Sequence, residues 1–430
     1  MKIIDSSDKK FKKEFKAILN RSSLDMDEVS PIVKKLLKEV KDKGDKALKK
    51  HISKFDGWQP QNSNELLISP KLMKKAYKNL DKNLKSALHL AYQRIKSFHE
   101  KQMPKSWIDF EKNGSMIGQK VTAVDSVGLY IPGGKAVYPS SLLMNAIPAI
   151  VAGVEKIVVT TPAIGNEVNE LLLGAMYLCN IKTGIKIGGA SAIGALTYGT
   201  PTVPKVDVIT GPGNIFVATA KKEVYGEVNI DMIAGPSEIG IISDKFAKPK
   251  YLAIDLLSQA EHDEMASCIM ITTSKKIAKK TAKEIKKYLN ILPRSEIAKK
   301  SITNRGAIIV VKNLSEAVDL MNQIAPEHLE LMVQNPYELL PKIKHAGAIF
   351  MGENTPEPMG DYIAGPNHTL PTGGTAKFYS PLSVENFLKK SSIISISKEG
   401  MAKLGKACAL LAKTEGLTAH EESIKVRLKN

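Results

Sequence analysis

The chain has 430 residues, 43% of them hydrophobic, which fits a globular protein of two or more domains at ~150 residues each. Its formal net charge of +18 raises the question of a polyanionic partner. The charge is mostly lysine on amphipathic helical patterns (residues 11–19, 32–48, 72–90 and 277–289), with little arginine and no aromatic-basic signature, which argues against specific nucleic-acid recognition.

No apolar run reaches the ~18 residues of a membrane span, and the best candidate, residues 142–154, is broken by Asn145 and Pro148. The N-terminus, Met1-Lys2-Ile3-Ile4-Asp5, lacks the apolar segment of a secretory signal. Cys179, Cys268 and Cys408 are widely spaced and make neither a disulfide framework nor a zinc-finger pattern. A reducing cytoplasm is the expected setting, with no membrane partner.

In chain order, residues 1 to about 110 read as mostly helical. Phe55-Asp56-Gly57-Trp58 is a turn between helical stretches, and Ser69-Pro70 pairs an N-cap with proline at the first helical position. From Val127 glycine and proline become dense and lysine thins out. Strand-like runs at 127–131, 156–161 and 206–209 alternate with helical patterns at 141–154, 168–179, 190–196 and 215–223. A second series has helix at 250–261, strand at 267–273, helix at 275–289, strand at 306–311, helix at 314–324 and strand at 346–350. Alternation at this spacing means βαβ units and parallel sheets. The expected fold is α/β: two incomplete Rossmann-like domains with small helical N- and C-terminal extensions. The expected division is a helical extension at 1–25, a catalytic α/β domain of 26–129 with 240–381, a nucleotide-binding α/β domain at 130–239 and a basic helical tail at 382–430. That tail is too short to hold a core and must dock on something.

Three glycine-rich turns bear on nucleotide binding. Gly128 to Lys135 falls short of a P-loop, because Leu129 stands where its first glycine belongs and Ala136 replaces the hydroxyl residue. Gly211-Pro212-Gly213-Asn214 follows a strand and opens a helix, which suits an anion at a helix N-terminus, but it lacks the third glycine of the dinucleotide fingerprint. Gly188-Gly189-Ala190-Ser191 is of the same kind. Any one of them is an ordinary βα turn; three in one domain point to a nucleotide-sized ligand.

Metal donors gather around Ser258-Gln259-Ala260-Glu261-His262-Asp263, where Gln259 and His262, three apart, share a helix face. Asp361 and His420 are further candidates, and two histidines, an aspartate and a glutamine oxygen can hold zinc. Ala325-Pro326-Glu327-His328 sets a carboxylate beside an imidazole, two bases of different strength. In a regular strand they would face opposite ways, so an irregular backbone at Pro326 is expected. His51, His89, His99 and His345 read as non-functional.

The motifs VGLYIPGGKAVYPSS from Val127, TGPGN from Thr210, AGPSE from Ala234, SQAEHD from Ser258, APEHLE from Ala325, GDYIAGPNHTLPTGGTAKF from Gly360 and EGLTAH from Glu415 resemble those of histidinol dehydrogenases. They keep the family's order and span roughly residues 100–420. The resemblance implies a two-step, NAD-dependent oxidation of L-histidinol through L-histidinaldehyde to L-histidine, with one zinc per subunit. It implies zinc ligands Gln259, His262, Asp361 and His420, His328 as the base for the hydroxyl proton, and Glu327 as the activator of water. It implies substrate contacts at Ser237, His368 and Glu415 beside the metal residues and His328, and NAD+ contacts at Tyr130, Ser191 and Asn214. It also implies a homodimer whose tails complete each other's sites. Serine at 191 departs from the family's usual glutamine and shortens that cofactor contact. A depressed pKa for His328 beside a metal is a further expectation. A zinc alcohol dehydrogenase for another polar alcohol, or a basic nucleic-acid binder on a retired enzyme fold, are the competing readings.

Overall fold

A computed structural model describes residues 1–21, 26–133 and 138–429, so the near P-loop residues Gly134, Lys135 and Ala136 lie outside the described residues. The strands in chain order begin with β1 (Lys2–Asp5), β2 (Leu67–Ile68), β3 (Trp107–Phe110), β4 (Met116–Ala123) and β5 (Ser126–Tyr130). Next come β6 (Lys156–Thr161), β7 (Thr183–Lys186), β8 (Val208–Thr210), β9 (Asn229–Ile230) and β10 (Glu238–Ser243). The last are β11 (Ser267–Thr272), β12 (Gly306–Val310), β13 (His328–Met332), β14 (Ala348–Met351) and β15 (Leu388–Ser395).

The chain divides into a unit of Met1–Gln102 with Asp125–Phe387 and a unit of Met103–Val124 with Leu388–Asn430. Within the first, one sheet runs β2-β7-β6-β5-β8-β9 and another runs β1-β12-β11-β10-β13-β14. The pairings in the second sheet are all parallel, and only β2 is antiparallel in the first. Strands β10, β11, β12 and β13 are buried at every residue, as parallel strands covered by helices on both faces must be. In each sheet the chain moves outward one way and then returns to the other side, so the order reverses between β5 and β8 and between β10 and β13. α/β sheets bind ligands at such points outside the carboxyl ends of the strands, the edge from which the glycine turns after β7 and β8 emerge. No helix among the described residues is long and apolar enough to cross a membrane.

The helices Glu170–Leu178, Gly189–Tyr198, Pro249–Ala260, Lys275–Leu289 and Leu314–Ile324 fall at the expected stretches. Ser69 caps the helix Pro70–Asn79 by accepting from the Leu72 N–H at 3.2 Å, as the Ser-Pro pair implied. Several elements were not anticipated, among them β3, β4, β7, β9 and β10. Lys2–Asp5 is an edge strand on β12 rather than helix, and Ser295–Arg305 is a helix. The tail also departs from a wholly helical reading. It opens on β15, whose Ser-Ser-Ile-Ile-Ser segment pairs antiparallel with β4 before the helices Lys398–Thr414 and Thr418–Leu428. The second unit therefore has its own three-stranded sheet, β15-β4-β3, and it leaves Phe110 and Ile394 each 72% exposed.

Candidate active site

Helix Leu314–Ile324 ends at Ala325, which adopts φ 48° and ψ 63° and donates its N–H to the Met321 carbonyl at 2.8 Å. A left-handed residue terminates a helix, and for a residue with a Cβ it costs about 1–3 kcal/mol unless the surroundings impose it. Ala325 is fully buried, and the strain is held by packing. After Pro326 the strand begins only at His328, so Glu327 escapes the alternation of a strand. Its Oε2 lies 3.7 Å from His328 Nδ1. The irregular residue is Ala325, one before Pro326, whereas the Pro326 and Glu327 carbonyls accept the Gly347 and Ala348 N–H groups at 3.0 and 2.9 Å.

The main chain of one residue, Glu238, holds both side chains. The Glu238 N–H donates to Glu327 Oε2 at 2.8 Å, and the Glu238 carbonyl accepts from His328 Nδ1 at 3.0 Å. A carbonyl can only accept, so Nδ1 carries the hydrogen and Nε2 of the neutral ring keeps its lone pair. Nε2 is buried without a hydrogen-bond partner, 3.6 Å from Asp361 Oδ1 and 3.9 Å from Glu357 Oε1. Among the described residues, His328, Glu357 and Asp361 bring ligand-type atoms within 4.8 Å of one another.

The electrostatics follow from burial and crowding. Burial pushes Glu327 up to about 8, against the pull of the His328 charge and the Glu238 hydrogen bond. Burial works to discharge His328, but the Glu327 charge and the nearby Asp361 and Glu357 carboxylates outweigh it and hold the ring at about 10. With no cation among these carboxylates the direction is opposite to the depression expected beside a metal. Burial, reinforced by the Asp361 charge, raises Glu357 to about 8. Burial works to raise Asp361, but the close His328 ring and the charge of His368 outweigh it and keep the carboxyl well below the usual carboxylate range.

Gln259 stands in the last turn of helix Pro249–Ala260, fully buried, with neither Oε1 nor Nε2 hydrogen-bonded. An unsatisfied buried amide costs about 1–3 kcal/mol and calls for an explanation. The helix stops at Ala260, so His262 lies in the following turn rather than on the helix face, its N–H donating to the Gln259 carbonyl at 3.2 Å. Burial lowers the His262 pKa while the Asp361 charge raises it and the His328 charge lowers it, so the ring is within electrostatic reach of both. The site is thus a set of carboxylates crowded around imidazoles, with an orphaned amide on an adjoining helix. That donor chemistry fits a cation.

His368 Nδ1 donates to the Asp361 carbonyl at 3.0 Å and lies 3.7 Å from Asp361 Oδ1. Ser237 is half-buried and immediately precedes β10, at the same amino edge as His328. Glu415 and His420 are exposed on the second unit, after helix Lys398–Thr414 and within helix Thr418–Leu428. Sequence reasoning missed Glu357, and with it Glu330 and Asp255. Glu330 lies inside an apolar run, and Glu357 follows a proline at a helix start, where an acid is unremarkable.

The predicted cofactor residues lie at the carboxyl edge of the other sheet. Tyr130 ends β5, and burial pushes its hydroxyl up to about 12 while it accepts from the Gly189 N–H at 3.3 Å. Asn214 caps helix Ile215–Val224 through its Oδ1, taking the Phe216 and Val217 N–H groups at 3.1 and 3.2 Å. Gly211 lies so close to β5 that a Cβ there would sit 2.0 Å from the Tyr130 carbonyl oxygen. The Ser191 hydroxyl is 2.8 Å from His51 Nδ1, whose Nε2 faces Glu39 Oε2 at 3.1 Å. His51, read as non-functional from the sequence, holds the Ser191 hydroxyl.

The family model for histidinol dehydrogenase matches residues 19–428. Histidinol dehydrogenase of Sulfurimonas denitrificans is 63% identical over 423 residues, covering 98% of each chain. That of Wolinella succinogenes is 62% identical over 428 residues, covering 100% of this chain and 99% of the relative. The crystal structure of histidinol dehydrogenase from Elizabethkingia anophelis superposes with a TM-score of 0.94 at 34% identity, covering 100% of this chain and 98% of that one.

Proposed function

The chain belongs to the histidinol dehydrogenase family, and from that premise we propose how its residues oxidise L-histidinol through L-histidinaldehyde to L-histidine with NAD and zinc. Gln259, His262 and Asp361, with His420 from the tail, hold the metal. The orphaned Gln259 amide favours this set over the His328, Glu357 and Asp361 triad, because His328 Nε2 is then left free to act as a base. Zinc, when bound, holds the substrate's amine and imidazole as a template and draws on the carboxylate charge around His328.

In the first oxidation His328 Nε2 takes the hydroxyl proton while the carbinol carbon gives its hydride to NAD. In the second, Glu327 takes a proton from the water that adds to the aldehyde carbon, and the resulting diol gives a second hydride to a second NAD. One alcohol, one water and two NAD yield a carboxylate, two NADH and three protons. Glu327, lifted to about 8, is a stronger base than an exposed carboxylate. Ser237, His368 and Glu415 contact the substrate, and Tyr130, Ser191 and Asn214 contact NAD in the domain of residues 130–239. The active form is a cytoplasmic homodimer, and the exposed apolar residues of the second unit support a tail that docks on a partner.

The observation that carries these roles is the His328 ring, its tautomer set by Glu238 and its Nε2 left open toward Asp361. The test is NADH absorbance with L-histidinol, before and after chelation and after zinc is returned. Absence of NADH with histidinol in the zinc-loaded protein overturns the assignment. Mixing His420→Ala with His328→Ala subunits tests the shared site, and failure to recover activity removes the dimeric part.

A further inference from the structure

Two carboxyl groups lie directly under this site and take part in no step above. Glu330 is 0% and Asp255 6% exposed. Glu330 follows His328 by two residues on β13 and so projects from the same face of the sheet. Its Oε1 accepts the N–H of Glu357 at 2.9 Å, at the first residue of the helix Glu357–Tyr362 that carries Asp361. Its Oε2 is buried and receives no ordinary donor. The group that bears on it is the Asp255 carboxyl, close enough for each to shift the other. Two carboxyl oxygens can bond only across a proton, so direct pairing of these two requires one of them to be protonated. Burial raises both groups, Asp255 to about 7, which agrees with a retained proton.

Asp255 lies on helix Pro249–Ala260, four residues before Gln259 and therefore one turn below it. Ser258 makes a second tie between the same elements, its hydroxyl lying 2.8 Å from the Asp255 carbonyl and 3.2 Å from Glu357 Oε2. The carboxyl pair thus touches three elements, and each carries part of the chemistry: Gln259 on one helix, His328 on β13 and Asp361 on the other helix.

We infer that the Asp255–Glu330 carboxyl pair is a positioning device, fixing the spacing between the Gln259 helix and the Asp361 helix and so the geometry of the metal site. The inference rests on the ligand assignment proposed above. Neither residue touches substrate or metal; they act through the two helices. A neutral, hydrogen-bonded partner at 330 meets the requirement as well as a protonated carboxyl does. Glutamine can still accept from the Glu357 N–H and can donate to Asp255, whereas leucine can do neither.

The experiment is zinc affinity, measured by competition with a chromophoric chelator on the full-length protein, alongside thermal unfolding of the metal-free form. Glu330→Leu is expected to weaken zinc by about 10- to 100-fold, and Glu330→Gln to bind close to the unmodified protein. If Glu330→Leu does not fold, Asp255→Ala takes its place, since it keeps the Glu330 bond to Glu357, and the same loss is expected. A merely structural role lowers the melting temperature of the metal-free protein and leaves zinc affinity of the folded fraction unchanged; that result overturns the inference. Gln259→Ala separates it from the ligand assignment. Unchanged zinc affinity in Gln259→Ala refutes the assignment, whereas loss in Gln259→Ala without loss in Glu330→Leu refutes the positioning role alone.

Discussion

Arg21→Met is expected to damage this protein out of proportion to its distance from any reacting atom. Arg21 Nη2 donates to Glu238 Oε2 at 2.7 Å and to the Ile324 carbonyl at 3.0 Å, so it ties the start of β10 to the end of the helix before the catalytic pair. The two ion-pair side chains are 5% and 2% exposed. At an effective dielectric of ~20 the attraction at that separation is roughly 6 kcal/mol before desolvation is counted. Removing one member of a buried pair leaves the other's desolvation cost in place, and the expected loss of stability is about 3–5 kcal/mol. The assay is urea unfolding of Arg21→Met, Glu238→Gln and the double variant. The double variant is expected to cost less than the sum of the singles, by about 0.5–3 kcal/mol of coupling. A loss below about 1 kcal/mol for Arg21→Met, the value of an exposed pair, would refute the reasoning.

His328→Asn keeps a polar group at the Glu238 carbonyl but removes the base, and kcat is expected to fall by about 10²- to 10⁴-fold while NAD affinity, read by fluorescence titration, holds. Gly211→Ala sets a Cβ 2.0 Å from the Tyr130 carbonyl oxygen at φ 118°, so β8 must move from β5. A loss of about 3 kcal/mol or more and weaker NAD binding are expected, and a variant with unchanged melting temperature and NAD affinity would contradict the close approach. Asp56 is raised to about 6 by burial, above its value in the unfolded chain. Its contribution is therefore present below about pH 4 and lost as pH rises through about 6, so Asp56→Asn should gain relative stability between those values and keep the gain at pH 8. Urea midpoints at pH 4, 6 and 8 check this; a difference that does not grow with pH speaks against it.

The helical and strand periods were legible where one face is polar. Lys275–Leu289 alternates lysines with Ile277, Ala278, Thr281 and Ile285, and its bounds follow from the pattern. Lys2–Asp5 escaped notice because its four residues carry no period without β12 beside them. Glu327, His328 and the donors Gln259, His262 and Asp361 stood out through motifs, and the approach of His328 to Asp361 and Glu357 did not. The clamp on Glu327 and His328 is main chain at Glu238, which no side-chain pattern records. Glu330 and Asp255 were invisible for a related reason. A carboxyl in an apolar run reads as the polar side of a strand, and only a partner brought from another element shows that it is buried.

The clamp at Glu238 has a bearing on how tolerance to mutation is measured in this protein. Its N–H and carbonyl are common to nearly every amino acid, so exchanging the side chain leaves both bonds to the catalytic pair chemically available. A scan of single substitutions would score the position by its ion pair with Arg21 and assign it to stability. The hold on the proposed catalytic pair would go unrecorded, because only proline deletes the donor and only an ester in place of the amide alters it without touching the side chain. Backbone substitution of the 237–238 amide, which carries the donor to Glu327, or of the 238–239 amide, which carries the acceptor for His328, is therefore the perturbation that reaches each bond selectively.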